Sequence, residues 1–242
     1  NVRRFKIALW SCSKSMKDLP SATEILSTPV DNIDASGMVI EDILEVATRE
    51  FAAHGLAGAR IEKIQQQTRT SKRMIYYHFG SKEGLYGAVI ERAFEMVREV
   101  DKDFDPQMGT PEQALKQIAN NAFEAFTKNP SFVRLLTFEN LAGAPYIRQS
   151  KHASRLNRMA MADLESVLKR GHADGSMRKY VKPLDVYINM VGLCYYHVAH
   201  YSGYLAAGFQ SKENSRIQSH AYQKQRKRAI QDACWRYVKA DT

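Results

Sequence analysis

The chain has 242 residues, of which 44% are hydrophobic, and a formal net charge of +9 at pH 7. That hydrophobic content is enough for a packed core in one large domain or two modest ones. A basic balance of this size favours a polyanionic partner. The 3 cysteines form no paired framework and no CxxC motif, which fits a reducing compartment. The sequence therefore predicts a cytoplasmic protein.

The first 37 residues show no sustained hydrophobic periodicity. Pro20, Pro29 and Gly37 interrupt them, so we predict a flexible N-terminal extension over residues 1–37. The apolar run at residues 5–10 is too short for the hydrophobic region of a signal peptide. No segment approaches the roughly 20 apolar residues that a membrane span requires. A soluble protein with no membrane partner is expected.

From residue 38 onward the hydrophobic pattern is helical. In the first predicted helix, apolar residues recur at i, i+3, i+4, i+7 and i+11 and form one stripe. They are Ile40, Ile43, Leu44, Ala47 and Phe51. Gly55 is available for a left-handed position at the end of this helix. Ile61 and Ile64 anchor a second, short helix.

A third and very short helix follows. Thr70 or Ser71 is placed to cap its start, and Gly80 ends it. Ser81 caps the fourth helix, whose first turn carries Glu83, a charge that suits the helix dipole. Three short helices with a tight turn before the third match the geometry of a helix-turn-helix.

The remainder of the chain is also predicted to be helical. Breaks rich in proline and glycine separate further helices, expected over residues 115–126, 131–142, 146–170, 184–207 and 215–239. The 184–207 helix is apolar nearly all round, which indicates burial on more than one side. No stretch alternates in the manner of a strand. The predicted fold class is all-α, with a helix-turn-helix domain over residues 38–85 and a helical domain over residues 86–242.

Positive charge is concentrated around the third helix. Between Arg60 and Lys82, six Lys or Arg side chains stand against one acid, Glu62, which gives a local balance of +5. Ile75 and Phe79 lie four residues apart and are expected to face the core. The side chains left on or near the outer side are Lys72, Arg73, Tyr76 and Tyr77.

These outer side chains have the chemistry of a helix that reads DNA. Arg and Lys reach guanine edges or phosphates, and Tyr donates to phosphate oxygens while its ring packs on sugars or thymine methyls. Lys82, at the start of the next helix, suits a phosphate. Double-stranded DNA is therefore the predicted partner. Arg3, Arg4 and Lys6 leave open whether the extension is a disordered leader or an arm that reaches into a groove.

Residues 40–90 also contain a run of spaced motifs. They read Ile43-Leu44-x-x-Ala47-x-x-x-Phe51-Ala52-x-x-Gly55, then Ile61-x-x-Ile64, then Ile75-Tyr76-Tyr77-His78-Phe79-x-Ser81-Lys82-Glu83-x-Leu85. This segment resembles the N-terminal domain of TetR-family transcriptional regulators. The resemblance implies a homodimer that binds a palindromic operator, usually represses, and releases DNA when a small-molecule effector enters a C-terminal domain for ligand binding and dimerisation. It implies no cofactor. The 184–207 helix and the last helix are then the natural dimer surface.

The resemblance further implies which residues form the sites. The DNA-contact positions of the family fall on Thr70, Ser71, Lys72, Arg73, Tyr76, Tyr77, His78 and Lys82. Arg60 stands where a threonine is common and adds a cation facing the DNA backbone. The turn reads Thr68-Arg69-Thr70, so a non-glycine residue occupies it, and Gln65 replaces a customary alanine. The helices expected to surround the effector pocket carry the apolar or amphipathic residues Phe123, Phe126, Phe138, Met161, Tyr187, Met190, Val191, Cys194 and Tyr195.

Other interpretations are compatible with the sequence. The protein could activate transcription, or it could bind DNA with the same fold but without sequence preference. Cys194-x-x-His197-x-x-His200 lies along one flank of the 184–207 helix and would suit a metal-dependent enzyme. No carboxylate completes that set, and the chain has no phosphate loop or nucleophile elbow. We therefore predict no metal site and no catalytic residues.

Overall fold

The computed structural model of the chain describes residues 31–201, 203 and 220–241. Contacts divide the chain into two units, residues 1–41 and residues 42–242. The first unit contributes the start of the first helix, and all the later helices belong to the second. Residues 1–30 of the predicted extension, which include the suggested groove-reaching arm, lie outside the described residues.

The helix-turn-helix region is built from α1 (Asp31–Gly58), α2 (Ile61–Gln67) and α3 (Lys72–Phe79), followed by α4 (Lys82–Arg98). A turn of 3-10 helix, Glu99–Asp101, follows α4. α1 begins at Asp31 and not at residue 38, so the predicted helix start is too late. Gly37 does not stop the helix because an interior glycine costs only about 1 kcal/mol relative to alanine.

Both ends of α3 are fixed by residues that the sequence singled out. Of the two candidate caps, Ser71 is the one used, because its Oγ accepts a hydrogen bond from the Met74 N–H at 3.3 Å. Gly80 ends the helix with a φ of 73°, a conformation that glycine adopts without steric cost. Ser81 Oγ accepts the Gly84 N–H at 3.0 Å and caps α4. Each such cap is worth about 1 kcal/mol.

The C-terminal helices of the described residues differ from the prediction at their ends. They are α5 (Pro111–Lys128), α6 (Pro130–Leu141), α7 (Pro145–Gln149), α8 (Lys151–Ala173), α9 (Pro183–Ala199) and α10 (His220–Val238). One helix was predicted over residues 146–170, but Ser150 divides it because its Oγ accepts the Ala153 N–H and caps α8. α9 ends at Ala199, before the predicted residue 207.

Buried side chains form a core in each half. Phe51, Ile64, Ile75 and Leu85 are at most 1% exposed and hold the helix-turn-helix together. Between α5, α8, α9 and α10 lies a second cluster, made of Ala114, Leu115, Leu164, Val167, Leu168, Met177, Val181, Val186 and Val238. Within the described ranges there is no strand beyond an isolated β-bridge, so the all-α prediction is confirmed. No helix of residues 31–201 or 220–241 is long and apolar enough to cross a membrane.

Candidate nucleic-acid interface

α3 exposes a cationic and aromatic face. Ile75 is 1% exposed and anchors the helix, whereas Tyr77 is 78% exposed. Because successive residues of an α-helix turn by about 100°, Arg73 and Tyr77 project on the side opposite Ile75, and both are exposed. Phe79, expected to face the core beside Ile75, is half-buried. The helix therefore offers its charged and aromatic side to a partner.

The turn between α2 and α3 is held without a glycine. Thr68 Oγ1 donates to the Gln65 carbonyl at 3.1 Å, and Gln65 Nε2 donates to the Thr70 carbonyl at 3.3 Å. From α1, Asp42 Oδ2 accepts the Arg69 N–H at 3.1 Å. Among the residues described, Ala144 is the one non-glycine with positive φ, so the turn contains no left-handed residue. The two departures from the family pattern, Gln65 and Thr68-Arg69-Thr70, therefore build a turn of their own.

Lys72 already has partners within the chain. Its Nζ lies 2.5 Å from Glu62 Oε1 on α2 and 5.9 Å from the centroid of the Tyr76 ring. Hydrogen bonding between the two groups lowers the pKa of the Glu62 carboxyl and raises the pKa of Lys72. Both side chains are largely exposed, so the pair is a surface contact that solvent screens. Arg73, by contrast, makes no hydrogen bond or ion pair with any part of the chain that the structure describes.

The other predicted contacts of the turn and helix lie beside this face. Ser71 is exposed at the start of α3, and Thr70 is half-buried before it. His78 is also half-buried, and its ring meets the Tyr77 ring edge-on at 5.2 Å between centroids. Tyr76 is 38% exposed. These four residues flank Arg73 and Tyr77, so the polar atoms of their side chains lie beside the exposed face of α3.

Arg60 and Lys82 occupy the starts of the neighbouring helices. Arg60 is the exposed N-cap residue of α2, where its backbone N–H donates to Glu50 Oε1 at 3.1 Å. Lys82 Nζ donates to the Ala57 carbonyl at 3.4 Å, which ties the start of α4 to the end of α1. Lys82 is half-buried. The ammonium group predicted to contact a phosphate therefore already has a hydrogen-bond partner within the protein.

A buried aromatic group connects α4 to the C-terminal helices. Tyr86, one turn after the start of α4, is 1% exposed. Its ring packs edge-on against Phe51 of α1 at 5.0 Å and against Tyr146 of α7 at 4.9 Å. Burial and the neighbouring Glu139 carboxylate raise the pKa of the Tyr86 phenol. Glu139 is 2% exposed and accepts the backbone N–H groups of Tyr146 and Ile147.

The end of α1 is in contact with α6. Helical geometry breaks at Gly55, whose φ is 65° and ψ 177°. The φ is positive, as predicted for the end of this helix. A Cβ placed on Gly55 would lie 2.8 Å from Cδ1 of Phe138, so the two helices approach as closely as a glycine permits.

An interior cavity of about 40 Å³ lies between α4, α5, α8 and α9. Four of the predicted pocket residues line it, namely Phe126, Tyr187, Met190 and Val191. Its polar end is formed by Arg98 and Asp101, which pair at 3.0 Å.

The other five predicted pocket residues lie elsewhere. Phe123 stacks on His197 at 5.4 Å, Tyr195 Oη bonds to Thr137 Oγ1 at 2.7 Å, and Phe138 packs on Gly55. Cys194 is buried, and Met161 is half-buried on α8.

The Cys194, His197 and His200 set is divided among separate packing contacts. Burial raises the pKa of Cys194 to about 12, which keeps the thiol neutral. Burial also lowers the pKa of His197, whose ring stacks on Phe123. His200 stacks on Tyr196 at 4.0 Å between centroids. In the described ranges, no group of three or more His, Cys, Asp or Glu side chains could hold a metal ion.

Several residues of the site were not predicted from the sequence. Glu62 contacts Lys72 of the next helix, while Asp42 and the side chain of Gln65 bond to the backbone of the turn between α2 and α3. Met74, 38% exposed on α3, was also missed. A helical wheel carries a signal for Met74, because it stands 100° from Ile75 and so cannot share its burial fully.

Comparison with known proteins identifies the family. The model described as "Tetracyclin repressor-like, C-terminal domain" matches residues 111–233, and "Bacterial regulatory proteins, tetR family" matches residues 43–89. The chain belongs to the TetR family. It is therefore a helix-turn-helix DNA-binding regulator of transcription, with α2 and α3 as its helix-turn-helix.

Relatives and solved structures agree with the TetR family. The HTH-type transcriptional repressor NicS of Pseudomonas putida is 30% identical over 176 residues, which cover 72% of this chain and 83% of NicS. The ketosteroid regulator KstR2 of Mycobacterium tuberculosis has a TM-score of 0.63 at 18% identity, covering 84% of this chain and 95% of that one. FadR of Bacillus subtilis, solved with stearoyl-CoA, has a TM-score of 0.57 at 13% identity, covering 80% and 96%. The two structures share the fold of this chain.

Proposed function

We propose that the protein is a homodimeric repressor that binds a palindromic operator and leaves it when a small molecule occupies the C-terminal domain. The observation that carries this proposal is the outward face of α3, where Arg73 and Tyr77 are exposed on a helix capped at both ends. Such a helix, anchored through Ile75, is suited to lie in the major groove. The DNA contacts we assign are Arg60, Thr70, Ser71, Lys72, Arg73, Tyr76, Tyr77, His78 and Lys82.

The exposed face of α9 supports the homodimer. Leu184, Ile188 and Tyr196 are 56%, 57% and 46% exposed, and with Gly192 they follow one another at intervals of four residues. Residues so spaced lie on one side of a helix. Tyr237 on α10 is 38% exposed and lines the same shallow groove as Ile188 and Gly192. An apolar stripe of this kind on two adjacent helices is suited to pair with its own copy around a two-fold axis.

A two-fold dimer in turn favours a palindromic operator. Each protomer would place its α3 in one half-site. Dimeric helix-turn-helix proteins bind half-sites about 34 Å apart, which is one turn of the duplex. The surface between Arg60 and Lys82 supplies the positive charge for the phosphates.

The contacts made by the helices around the cavity support control by an effector. Met190 and Tyr187 of α9 line the cavity, and Tyr195 of the same helix bonds to Thr137 of α6. α6 then contacts α1 through Phe138 and the neighbourhood of Tyr86 through Glu139. A ligand that enlarges the cavity would therefore move helices that position α3. FadR, a protein of the same fold, was solved with a bound acyl-CoA.

The direction of control is proposed from a relative that is covered over most of its length. NicS is named a transcriptional repressor, which favours repression over activation.

We place the protein in the cytoplasm, where the DNA of a bacterial regulator lies. An enzyme is not proposed, because its candidate residues Cys194 and His197 are occupied in packing.

Selection of bound genomic fragments by the purified protein tests the proposal. We expect one enriched palindromic sequence, bound with a salt dependence of about −5 to −7 in log K against log salt if each protomer neutralises three or four phosphates. Arg73→Ala should relax the base preference at one position of each half-site by about 1–3 kcal/mol. Arg155→Ala, an exposed site on α8, is the matched control and should leave both measurements unchanged.

Two outcomes would contradict parts of the proposal. Equal binding of the enriched sequence and of random duplex at physiological salt would rule out sequence-specific regulation. Transcription from the operator that rises when the protein is added would rule out repression and favour an activator.

A further inference from the structure

We propose that Met74 reads sequence, by contacting the C5 methyl group of a thymine in the major groove next to the base that Arg73 reads. The inference rests on the proposed operator binding and adds the base that one side chain selects. It starts from a residue that is apolar, large and exposed at the DNA-facing helix.

The position of Met74 on α3 is the first argument. It belongs to the first turn of the helix, where its N–H is held by Ser71 Oγ at 3.3 Å. The N-terminal residues of a recognition helix are those that meet base edges. With Ile75 buried at 1%, Arg73 projects directly outward and Met74 projects to one side of it. Both side chains therefore leave the same turn toward the same groove.

The neighbours of Met74 are the second argument. Lys72, which shares the first turn, is held by Glu62 and lies over the ring of Tyr76 on the opposite flank. It is drawn toward α2 and suited to a phosphate. Arg73 and Met74 are then the side chains of this turn that point to the bases, one cationic and one apolar. Single exposed apolar residues are ordinary on protein surfaces, but Met74 shares its face with Arg73 and Tyr77.

The chemistry of the groove is the third argument. On the major-groove edge of the base pairs, the thymine methyl is the apolar group, while the other positions present hydrogen-bond donors and acceptors. A thioether donates no hydrogen bond and accepts only weakly. Its unbranched and polarisable chain fits irregular apolar contacts. Met74 therefore gains more against thymine than against any other base.

Replacing thymine by uracil in the operator isolates this contact, because uracil lacks only the methyl group. We expect one position in each half-site where uracil lowers the affinity of the wild-type protein by about fourfold, the effect of burying one methyl group. Substitution in both half-sites should lower it by about sixteenfold if the sites act independently. Met74→Ala should bind the thymine and uracil operators equally.

Three variants make the test specific. Met74→Leu keeps an apolar side chain and should retain the preference for thymine, whereas Met74→Gln, of similar length, should lose it. Met108→Ala removes a methionine that is 70% exposed in the loop before α5 and should behave as wild type. Circular dichroism spectra matching the wild type confirm that each variant is folded.

The results separate this inference from the proposed function. If the wild type fails to prefer the operator over random duplex, the proposed function is wrong. If the operator is preferred but uracil has no effect, or has the same effect on Met74→Ala as on wild type, Met74 does not read the methyl group. A loss of the uracil effect in Tyr77→Ala but not in Met74→Ala would assign the contact to Tyr77 and likewise overturn the inference.

Discussion

At the scale of single residues, the Glu62 carboxylate reduces the positive charge of α3 by pairing with Lys72. This carboxylate is 60% exposed and lies 2.5 Å from Lys72 Nζ. Its pKa is lowered by the hydrogen bond from Lys72, so it stays ionised at neutral pH. In the proposed complex, a phosphate at Lys72 would therefore compete with an anion that is already in place, because the Glu62 carboxylate cancels part of the positive field of the surface.

Glu62→Gln should strengthen operator binding. Removing the negative charge frees Lys72 for a phosphate, and we expect an affinity gain of about two- to fivefold at low salt that shrinks as salt rises. Fluorescence anisotropy with a labelled operator over a range of salt concentrations measures it. Glu99→Gln is the matched control, because Glu99 forms an equally exposed pair with Lys102 away from α3. Weaker binding by Glu62→Gln would mean that Glu62 positions Lys72 for DNA.

Sequence reasoning found the outward residues of α3 and its caps, but not the side-chain contacts that join α3 and its turn to the neighbouring helices. Arg73 and Tyr77 follow from the place of Ile75, because a helix has a fixed period. The contact of Asp42 with the Arg69 N–H joins positions 27 residues apart, and no local pattern reveals it. The same holds for Glu62 and Lys72, which belong to different helices. Periodicity predicts which side of a helix a residue faces. Which residue of the next helix it contacts depends on the angle at which the two helices pack.

Among the helices, α1 and α6 meet at Gly55 and Phe138, and a substitution at Gly55 can probe this contact. Gly55 combines a φ of 65° with a ψ of 177°, a region that is essentially restricted to glycine. Phe138 fills the space where a side chain would stand. Backbone conformation and packing therefore both require glycine at this position.

Gly55→Ala should destabilise the protein by about 2–5 kcal/mol, from backbone strain and from overpacking against Phe138. Urea unfolding measures the change. Gly175→Ala is the matched control, because its φ is 79° but nothing lies within 4 Å of an added Cβ, and we expect a loss of only about 1–2 kcal/mol. Combining Gly55→Ala with Phe138→Ala should recover about 1 kcal/mol relative to the sum of the single changes. Strict additivity would show that Phe138 does not contribute.

The order of the helices was predictable, and their exact ends were less so. Ser81 and Gly80 carried strong local signals and were placed correctly. Ser150 was missed, because a serine inside a helical pattern becomes a cap only when its side chain turns back to the Ala153 N–H. The pocket residues were assigned by helix and not by face. Hence Phe126 and Tyr187 line the cavity, while Phe123 and Tyr195 of the same helices make other contacts.

For the whole molecule, the proposed function requires two copies of α3 at a fixed separation, and the face of α9 is what would set it. The sequence predicts that the 184–207 helix is apolar nearly all round. In the protomer, Val186, Met190 and Cys194 are at most 3% exposed, while Ile188 is 57% exposed. Among the described residues, the second apolar side of the helix is thus exposed. Pairing this face with a second copy would remove from water the apolar surface that a monomer exposes, which favours the dimer.

Ile188→Asp should convert the dimer to a monomer and lower operator affinity at least a hundredfold, because a charge would be buried in the interface and the gain from two linked half-sites would be lost. Sedimentation velocity and operator binding measure the two effects, and the far-UV spectrum should stay native since Ile188 is exposed in the protomer. Leu141→Asp is the control, an 81% exposed leucine at the end of α6, and should remain dimeric. A dimeric Ile188→Asp with unchanged binding would place the two-fold axis on another face, and the spacing of the two recognition helices would then have to be set by contacts other than α9.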